Sequence, residues 1–275
     1  MIESDNQRLL DLFKKNTEED RVTFIQDIRD IAEEAVVDVL GRNSGSLPPT
    51  GDLAKHYYIE NTLLAMQNLN FFAPKNGAKV IPVYTSPTAL KTQTNLLARI
   101  WARAMYPPIP PVTALKKWSE YQDAWCATES TDKGKAQLGV ATKYLVTPTE
   151  LVVEHVPASG SLSINTAPRD VELWMDAGSI ERAAEIEKLI AAKSPRYKGM
   201  GGCGNAPGAG FVCMVAGRYD IHSPNWVQRF PAFLDAETFP NFESRTFVAR
   251  ARTNWGGDKT CLYRFRLHGR LQDEQ

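Results

Sequence analysis

The sequence lacks the features that mark membrane proteins and metal enzymes. No apolar run approaches about 18 residues, the least that a transmembrane helix needs. The four histidines never fall into H-E-x-x-H spacing, and no cysteines stand in C-x-x-C spacing. We therefore expect no membrane partner, no bound metal and no cofactor.

A secretory signal is also missing, since the first residues, MIESDNQRLL, are acidic and polar. Without such a signal, the four cysteines are expected to be reduced thiols in a cytoplasmic protein. Cys203, Cys213 and His222 could meet around zinc in principle, but their spacing matches no known short motif.

Charge is balanced overall but unevenly distributed. The chain has 32 basic and 32 acidic residues. Residues 1–40 hold eleven acids and five bases, whereas residues 245–270 hold seven bases and one acid. Such a basic segment can present a face to a polyanion, although a solvated pair of strands would give the same pattern.

The pattern of apolar residues divides the chain into two parts. Residues 1–75 predict a helical lobe, in which Thr17 is the N-cap of an amphipathic helix ending at Gly41. Residues 76–275 predict an α+β domain. Its elements are a strand at 78–84, helices at 88–105 and 113–125, strands within 136–177 with a turn at Thr147-Pro148-Thr149, a helix at 179–193 and a strand at 211–217.

Apart from the shorter helix at 113–125, this order is that of a ferredoxin-like core. Between its last helix and its last strand lies a glycine-rich stretch, YKGMGGCGNAPGAGF, at residues 197–211. Gly199, Gly201 and Gly204 spell G-x-G-x-x-G, but a helix precedes them and a strand follows, the reverse of a dinucleotide site. The Gly-Lys-Ser/Thr of a Walker A loop is missing.

The element order and the two glycine pairs, Gly199-Met200-Gly201 and Gly208-Ala209-Gly210, resemble the RAMP superfamily of CRISPR effector subunits. The segment LWMDAGSIERAAEIEKLI ahead of the loop is similar to the Cas5-like subunit of type IV systems, and the helical lobe suits a Cas8-like one. The resemblance implies a non-enzymatic subunit of a ribonucleoprotein complex. Its expected partners are a guide-like RNA and other protein subunits, with double-stranded DNA as a further nucleic-acid contact.

Under that resemblance the glycine loop holds backbone phosphates, because glycine amides can approach an anion closely. A glycine-rich turn packed on a neighbouring element is the structural alternative. The predicted contacts in this stretch are Tyr197, Lys198, Gly199, Gly201, Gly202, Gly204, Gly208 and Gly210.

The basic C-terminal segment predicts a β-hairpin around Asn254-Trp255-Gly256-Gly257-Asp258. With a period of two, one face of its second strand packs inward through Cys261, Tyr263, Phe265 and Leu267. The other face presents an arginine ladder to solvent, and its predicted nucleic-acid contacts are Arg250, Arg252, Arg264, Arg266, His268 and Arg270. A sheet edge protected by charge would look the same.

Two other classes of function stay open. Cys203 and His222 could act as nucleophile and base of an uncharacterised enzyme, since loop amides can lower the pKa of a thiol. A self-assembling viral or plasmid structural protein is the other. Neither alternative rests on a spacing that is specific to it.

Overall fold

The computed structural model describes residues 51–89, 107–128, 135–194, 197, 203–236 and 242–271. The chain divides into two compact units, Met1–Gln67 and Asn68–Gln275. Of the first unit the structure describes helix α1, Gly51–Gln67. Most of the predicted helical lobe lies outside the described residues, so its boundary at residue 75 stays a prediction.

The second unit consists mainly of β-strands. They are β1 (Lys79–Val80), β2 (Trp125–Ala127), β3 (Ala136–Glu154), β4 (Asp170–Asp176), β5 (Phe211–Arg218), β6 (Val227–Pro231), β7 (Ser244–Ala251), β8 (Thr260–Leu262) and β9 (Arg264–Leu271). Helix α2 spans Ile180–Lys193. In the described part of the chain, neither helix is long and apolar enough to cross a membrane.

The long strand β3 organises the sheet. Its first half pairs with β1 on one side and β7 on the other, and β7 continues to β4 and β5. Its second half pairs with β6 and β9 instead. Strands β2 and β8 form a separate two-stranded sheet. Every one of these pairings is antiparallel, and β3 therefore belongs to two sheet regions at once.

A single large hydrophobic core joins those regions. It contains inward-facing residues of β3, β4, β5, β7 and β9, among them Leu138, Leu151, Leu173, Phe247 and Phe265, all fully buried. A second, smaller cluster lies around the β2–β8 pair and contains Ala124, Val156, Cys261 and Tyr263.

The expected ferredoxin-like α+β fold is wrong. Such a fold requires two crossover helices that place strands in parallel. The described residues of the second unit contain one α-helix, α2, and no parallel strand pair. The predicted helix at 88–105 lies almost wholly outside the described residues.

Local predictions met mixed outcomes. Helix α2 is confirmed: the Ser179 side chain accepts a hydrogen bond from the Arg182 N–H, and Ala183, Ile186 and Ile190 are buried. The predicted turn at Thr147–Thr149 is wrong, because β3 runs through Pro148 with a register shift there. The predicted helix at 113–125 is wrong. A short 3-10 helix at Pro111–Leu115 includes its first three residues, and Trp125, the last residue of the predicted helix, begins β2.

The predicted C-terminal hairpin is also wrong. Strands β7 and β9 do not pair with each other, since each pairs with a different half of β3. Between them, β8 pairs with β2. The Asn254–Asp258 turn therefore connects strands in different sheets.

Candidate functional site

The glycine-rich stretch is described only in its second part. Four predicted contacts lie outside the described residues: Lys198, Gly199, Gly201 and Gly202. Tyr197 is described, and its ring packs edge-on against Phe233 with the ring centroids 5.2 Å apart. Its hydroxyl lies 3.4 Å from Glu187 Oε1, so Tyr197 has partners within the protein.

Residues 203–210, which we call the tethered loop, lie over the sheet, and their three glycines have structural contacts. The N–H of Gly204 donates to Glu172 Oε1 at 2.7 Å. Gly210 has a φ of +82°, a conformation that favours glycine, and its carbonyl accepts from the Ala177 N–H at 2.9 Å. A Cβ on Gly208 would lie at ordinary contact distance, 3.5 Å, from the Phe211 ring. The Gly204 amide thus binds a carboxylate of the protein itself.

A disulfide joins Cys203 of the tethered loop to Cys213 of β5, and a second joins Cys126 to Cys261 across β2 and β8. The expectation of reduced thiols is therefore wrong for this structure. Cys203 has no thiol to act as a nucleophile, and the His222 ring packs edge-on against Trp255 instead. The cytoplasmic location stays a prediction.

Arg250, predicted to face solvent from the first strand of the hairpin, is almost fully buried. Its Nε and Nη2 donate to Gln137 Oε1 at 2.9 and 2.6 Å, and its Nη1 donates to the Asn205 carbonyl at 2.6 Å. Its Nη1 also lies 3.7 Å from Glu172 Oε2. Burial lowers the pKa of Arg250, and the charge of Glu172 opposes that shift.

The basic side chains of β9 form a second buried ion cluster. Arg266 Nε donates to Glu154 Oε1, which also accepts from Arg264 Nη1 at 3.1 Å. His268 Nδ1 lies 2.7 Å from Glu150 Oε1. Burial alone would raise the pKa of Glu150, but hydrogen bonds from His268 and Arg229 outweigh it and lower that pKa.

The expected solvent-facing arginine ladder is therefore wrong. Arg250, Arg266 and His268 expose 3%, 5% and 1% of their surface, and each has a carboxylate or carbonyl oxygen of the protein within hydrogen-bond distance. Arg252 is partly exposed with its Nη1 3.6 Å from Glu172 Oε1, and Arg270 is exposed at the end of β9. A guanidinium that is buried against a carboxylate cannot contact a phosphate without breaking that pair.

A different group of residues, which the sequence did not single out as a site, surrounds Tyr263. The Tyr263 ring lies between the rings of His155 and Trp118, with centroid distances of 4.7 and 5.2 Å. Its hydroxyl donates to the Tyr121 carbonyl at 2.7 Å, and burial raises its pKa. We call Trp118, Tyr121, His155 and Tyr263 the Tyr263 cluster.

Two buried ring nitrogens in the Tyr263 cluster, Trp118 Nε1 and His155 Nε2, have no hydrogen-bond partner among the residues that the structure describes. His155 Nδ1 lies 2.9 Å from the Val156 carbonyl, which can only accept, so Nδ1 carries the proton. Burial lowers the pKa of His155 to about 4, which keeps the ring neutral near pH 7. The cluster therefore presents one unpaired donor, the indole N–H, and one unpaired acceptor, His155 Nε2.

A free strand edge runs beside this cluster. The Cys126 carbonyl accepts a hydrogen bond from the Ala89 N–H on the side of β2 that faces away from β8. Cys126 and its partner Cys261 are therefore a non-hydrogen-bonded pair of the ladder, and the N–H and C=O of Cys261 point away from β2. The Leu267 carbonyl accepts from the Phe71 N–H on the edge of β9 opposite β3, and the backbone groups of Phe265, two residues earlier in β9, point to the same edge. Tyr263 links β8 to β9, and the same alternation, continued by two residues, directs its groups to this edge as well. In the described part of the chain, no backbone hydrogen bond joins Cys261, Tyr263 or Phe265 to another segment along this edge.

We call the backbone groups of Cys261, Tyr263 and Phe265 the open edge. The sequence did contain one signal for it, the alternation that placed Cys261, Tyr263, Phe265 and Leu267 on an inward face, and their burial confirms that part. The free edge itself could not be predicted, because it depends on β7 and β9 pairing with different halves of β3.

No family model matches the chain, and no curated protein matches it. Similar solved structures include a family 32 carbohydrate-binding module from Streptococcus pneumoniae EndoD, with 10% identity, a TM-score of 0.39, and coverage of 74% of this chain and 100% of that one. Allantoicase from Saccharomyces cerevisiae has 9% identity and a TM-score of 0.44, with coverage of 83% of this chain and 55% of that one. The family 32 module of Clostridium perfringens NanJ, solved with galactose, has 10% identity and a TM-score of 0.33, covering 69% of this chain and 98% of that one.

The expected resemblance to RAMP-superfamily subunits is therefore wrong, since the described strands form antiparallel sheets and not the ferredoxin-like core that the resemblance implies. The expected role as a CRISPR subunit and the expected RNA and DNA partners are wrong with it. The physical reason lies in the basic residues: Arg250 and Arg266 pair with Glu172 and Glu154 inside the protein, and His268 contacts Glu150 there.

Proposed function

We propose that this chain is a non-enzymatic binding domain whose open edge takes one extended peptide segment. The observation that carries the proposal is the row of backbone groups at Cys261, Tyr263 and Phe265, which have no backbone partner among the described residues, beside two ring nitrogens of the Tyr263 cluster that also lack one there. Each unpaired buried polar group costs about 1–3 kcal/mol, so a ligand that pairs them gains affinity.

A peptide strand has the chemistry that this edge requires. Main-chain N–H and C=O groups alternate along it and match the same groups of an open strand, the recognition mode called β-augmentation. A further peptide unit supplies a C=O for the Trp118 N–H and an N–H for His155 Nε2. A ligand with anionic oxygens alone would leave His155 Nε2 unpaired, because that nitrogen accepts hydrogen bonds at neutral pH and an ionised oxygen has no hydrogen to donate.

The loop at 116–123 controls the approach to this edge. Its side chains are exposed except for Trp118, Tyr121 and Asp123, which are half-buried. Asp123 Oδ2 accepts from the N–H groups of Ser119 and Glu120 at 2.9 and 3.0 Å, and these bonds lower the pKa of Asp123. The loop is thus a preformed unit, which holds the Trp118 ring against Tyr263.

Selection from a phage-displayed library of random 12-residue peptides, followed by fluorescence anisotropy of the selected sequences, tests the proposal. Trp118→Phe keeps an aromatic ring and removes the N–H, and His155→Asn keeps a donor for the Val156 carbonyl while removing the acceptor at the Nε2 position. Each should weaken binding by about tenfold, the value of one hydrogen bond. Trp255→Phe is the matched control, because its indole N–H is already bonded to the Tyr219 carbonyl at 3.2 Å.

Amide hydrogen exchange supplies the second readout. Bound peptide should slow exchange at the N–H groups of Cys261 and Tyr263 while leaving β4 unchanged. Peptides that bind Trp118→Phe and His155→Asn as tightly as the unaltered protein would overturn the proposal. So would a library that yields no binder, or an oligosaccharide array that saturates the protein.

A further inference from the structure

The tethered loop has few attachments to the rest of the protein at its first half. For residues 203–207 of the described chain these are the Cys203–Cys213 disulfide, the Gly204 N–H on Glu172, and the Asn205 carbonyl on Arg250. Its second half ends in a turn in which the Phe211 N–H lies 3.4 Å from the Gly208 carbonyl. Within the described part of the chain, one disulfide and two hydrogen bonds therefore hold residues 203–207 in place.

Those two hydrogen bonds end on a buried ion pair. Glu172 and Arg250 are nearly fully buried, and the loop supplies Glu172 with one donor and Arg250 with one acceptor. A buried ion pair contributes little net stability, because desolvation offsets its attraction. The sheet therefore gains little from keeping the loop in place once the covalent bond is gone.

We propose that the Cys203–Cys213 disulfide is a redox-operated latch, whose reduction frees the tethered loop and uncovers Glu172 and Arg250. The proposal is independent of peptide binding at the open edge. Cys203 is the accessible end of the bond, since it is partly exposed while Cys213 is buried in β5.

The other disulfide provides the contrast. Cys126 and Cys261 are direct partners in the β2–β8 ladder, which the pairs Trp125–Leu262 and Ala127–Thr260 continue on both sides. Backbone hydrogen bonds thus hold those strands together after reduction. Cys203 belongs to no strand, so the same chemistry releases a segment only at the tethered loop.

The reaction is thiol–disulfide exchange with an external dithiol. A thiolate of the dithiol attacks Cys203 Sγ, the sulfur–sulfur bond breaks, and Cys213 leaves as a thiolate that takes up a proton. The second thiol of the reductant then displaces Cys203, which also becomes a thiol. The protein disulfide is reduced by two electrons, and the dithiol is oxidised to its own disulfide.

Hydrogen exchange on the whole chain, oxidised and after dithiothreitol, tests the latch, with thiol alkylation to show which disulfide is reduced. The Gly204 amide should exchange at least about tenfold faster after reduction, while Val140 and Val248 in the sheet stay protected. Cys203→Ser with Cys213→Ser should show the fast exchange without reductant. Cys126→Ser with Cys261→Ser should still respond to dithiothreitol.

Two results would overturn the latch. In the first, the Gly204 amide stays protected although alkylation shows Cys203 and Cys213 to be free thiols. In the second, Val140 and Val248 lose protection together with Gly204, which would make the disulfide a structural bond of the whole domain. Should the double serine variant fail to fold, the alkylation and exchange data on the unaltered chain decide the matter alone.

Discussion

Arg250 and Glu172 are direct cross-strand partners on β7 and β4, with Arg250 Nη1 3.7 Å from Glu172 Oε2. Their side chains expose only 3% and 2% of their surface, and Trp174 Nε1 donates to Glu172 Oε2 at 2.9 Å. The Arg250 guanidinium also lies over the Trp174 ring, 5.6 Å from its centroid. The pair thus occupies a fully enclosed polar layer between the sheet and the tethered loop.

Replacing Arg250 by Met should strongly destabilise the protein. The change leaves Arg252 as the one cationic neighbour of the buried Glu172 carboxylate among the described residues, and it deprives Gln137 Oε1 and the Asn205 carbonyl of the N–H groups that Arg250 donates. We therefore expect a loss of about 3–5 kcal/mol in the free energy of unfolding. Urea denaturation measures it. Arg252→Met is the matched control, because that side chain is 40% exposed and should cost less than about 1 kcal/mol. Equal costs for the two variants would contradict the buried polar layer.

Protonation of His155 should make stability depend on pH. Burial lowers the pKa of His155 from 6.5 to about 4 in the folded protein, so the unfolded chain binds the proton first as the pH falls. Stability is therefore complete above pH 6.5, decreases as the pH falls from there towards about 4, and should lose about 2 kcal/mol by pH 5. Urea titrations across this range measure the slope.

A variant comparison isolates the histidine. His155→Asn should remove most of that slope, whereas His222→Asn, at an exposed ring, should keep it. Glu150 and Asp170 have pKa values below their ordinary range, so their effects fall at lower pH. A slope that survives His155→Asn would show that another group is responsible.

The glycines of the tethered loop should differ in their tolerance of alanine. Gly210 has a φ of +82°, in the left-handed region, so Gly210→Ala should cost about 1–2 kcal/mol. At Gly208 the added Cβ would meet its nearest neighbour at 3.5 Å, so Gly208→Ala should stay within about 0.5 kcal/mol. Thermal unfolding of both variants measures the difference, and a cost at Gly208 equal to that at Gly210 would contradict the described backbone.

The two disulfides should stabilise the fold unequally. Cys126–Cys261 joins residues 135 apart and Cys203–Cys213 joins residues 10 apart. Because closing a longer loop removes more entropy from the unfolded chain, the double serine variants should lose about 5 and about 3 kcal/mol respectively. Urea denaturation under non-reducing conditions measures both. The reverse order would show that native contacts, rather than chain entropy, set the contribution.

Local features were predictable wherever neighbouring residues determine them. Ser179 caps α2 and three apolar residues line its buried side, because capping and helical spacing act within a turn or two. The strand at Asp170–Asp176 likewise follows from its own residues. Alternation in CLYRFRLH correctly placed Tyr263 and Phe265 inward.

The long-range features were not predictable in the same way. Arg266 was predicted to face solvent, because alternation shows only that its side chain and that of Phe265 point to opposite faces of the strand. Its buried partner, the Glu154 carboxylate, is 112 residues away in the sequence, so no local pattern indicates the pair. Pro148 was interpreted as a turn, although β3 passes through it with a shift in register. The open edge depends on the same unseen pairing, because no local pattern indicates which strand β9 will meet.

The pairing of β3 also has a consequence for the time course of folding. Val146 pairs with Leu271, which lies 125 positions later in the sequence. The first half of β3 pairs with β7, which is also far along the chain. Contacts so distant along the chain form slowly, since each must close a long loop first. During synthesis β3 leaves the ribosome well before β9 exists, so its apolar residues Leu151 and Val153 stay uncovered until the last strand arrives. A nascent chain stalled before Arg264 should therefore be the form that chaperones bind and that aggregates.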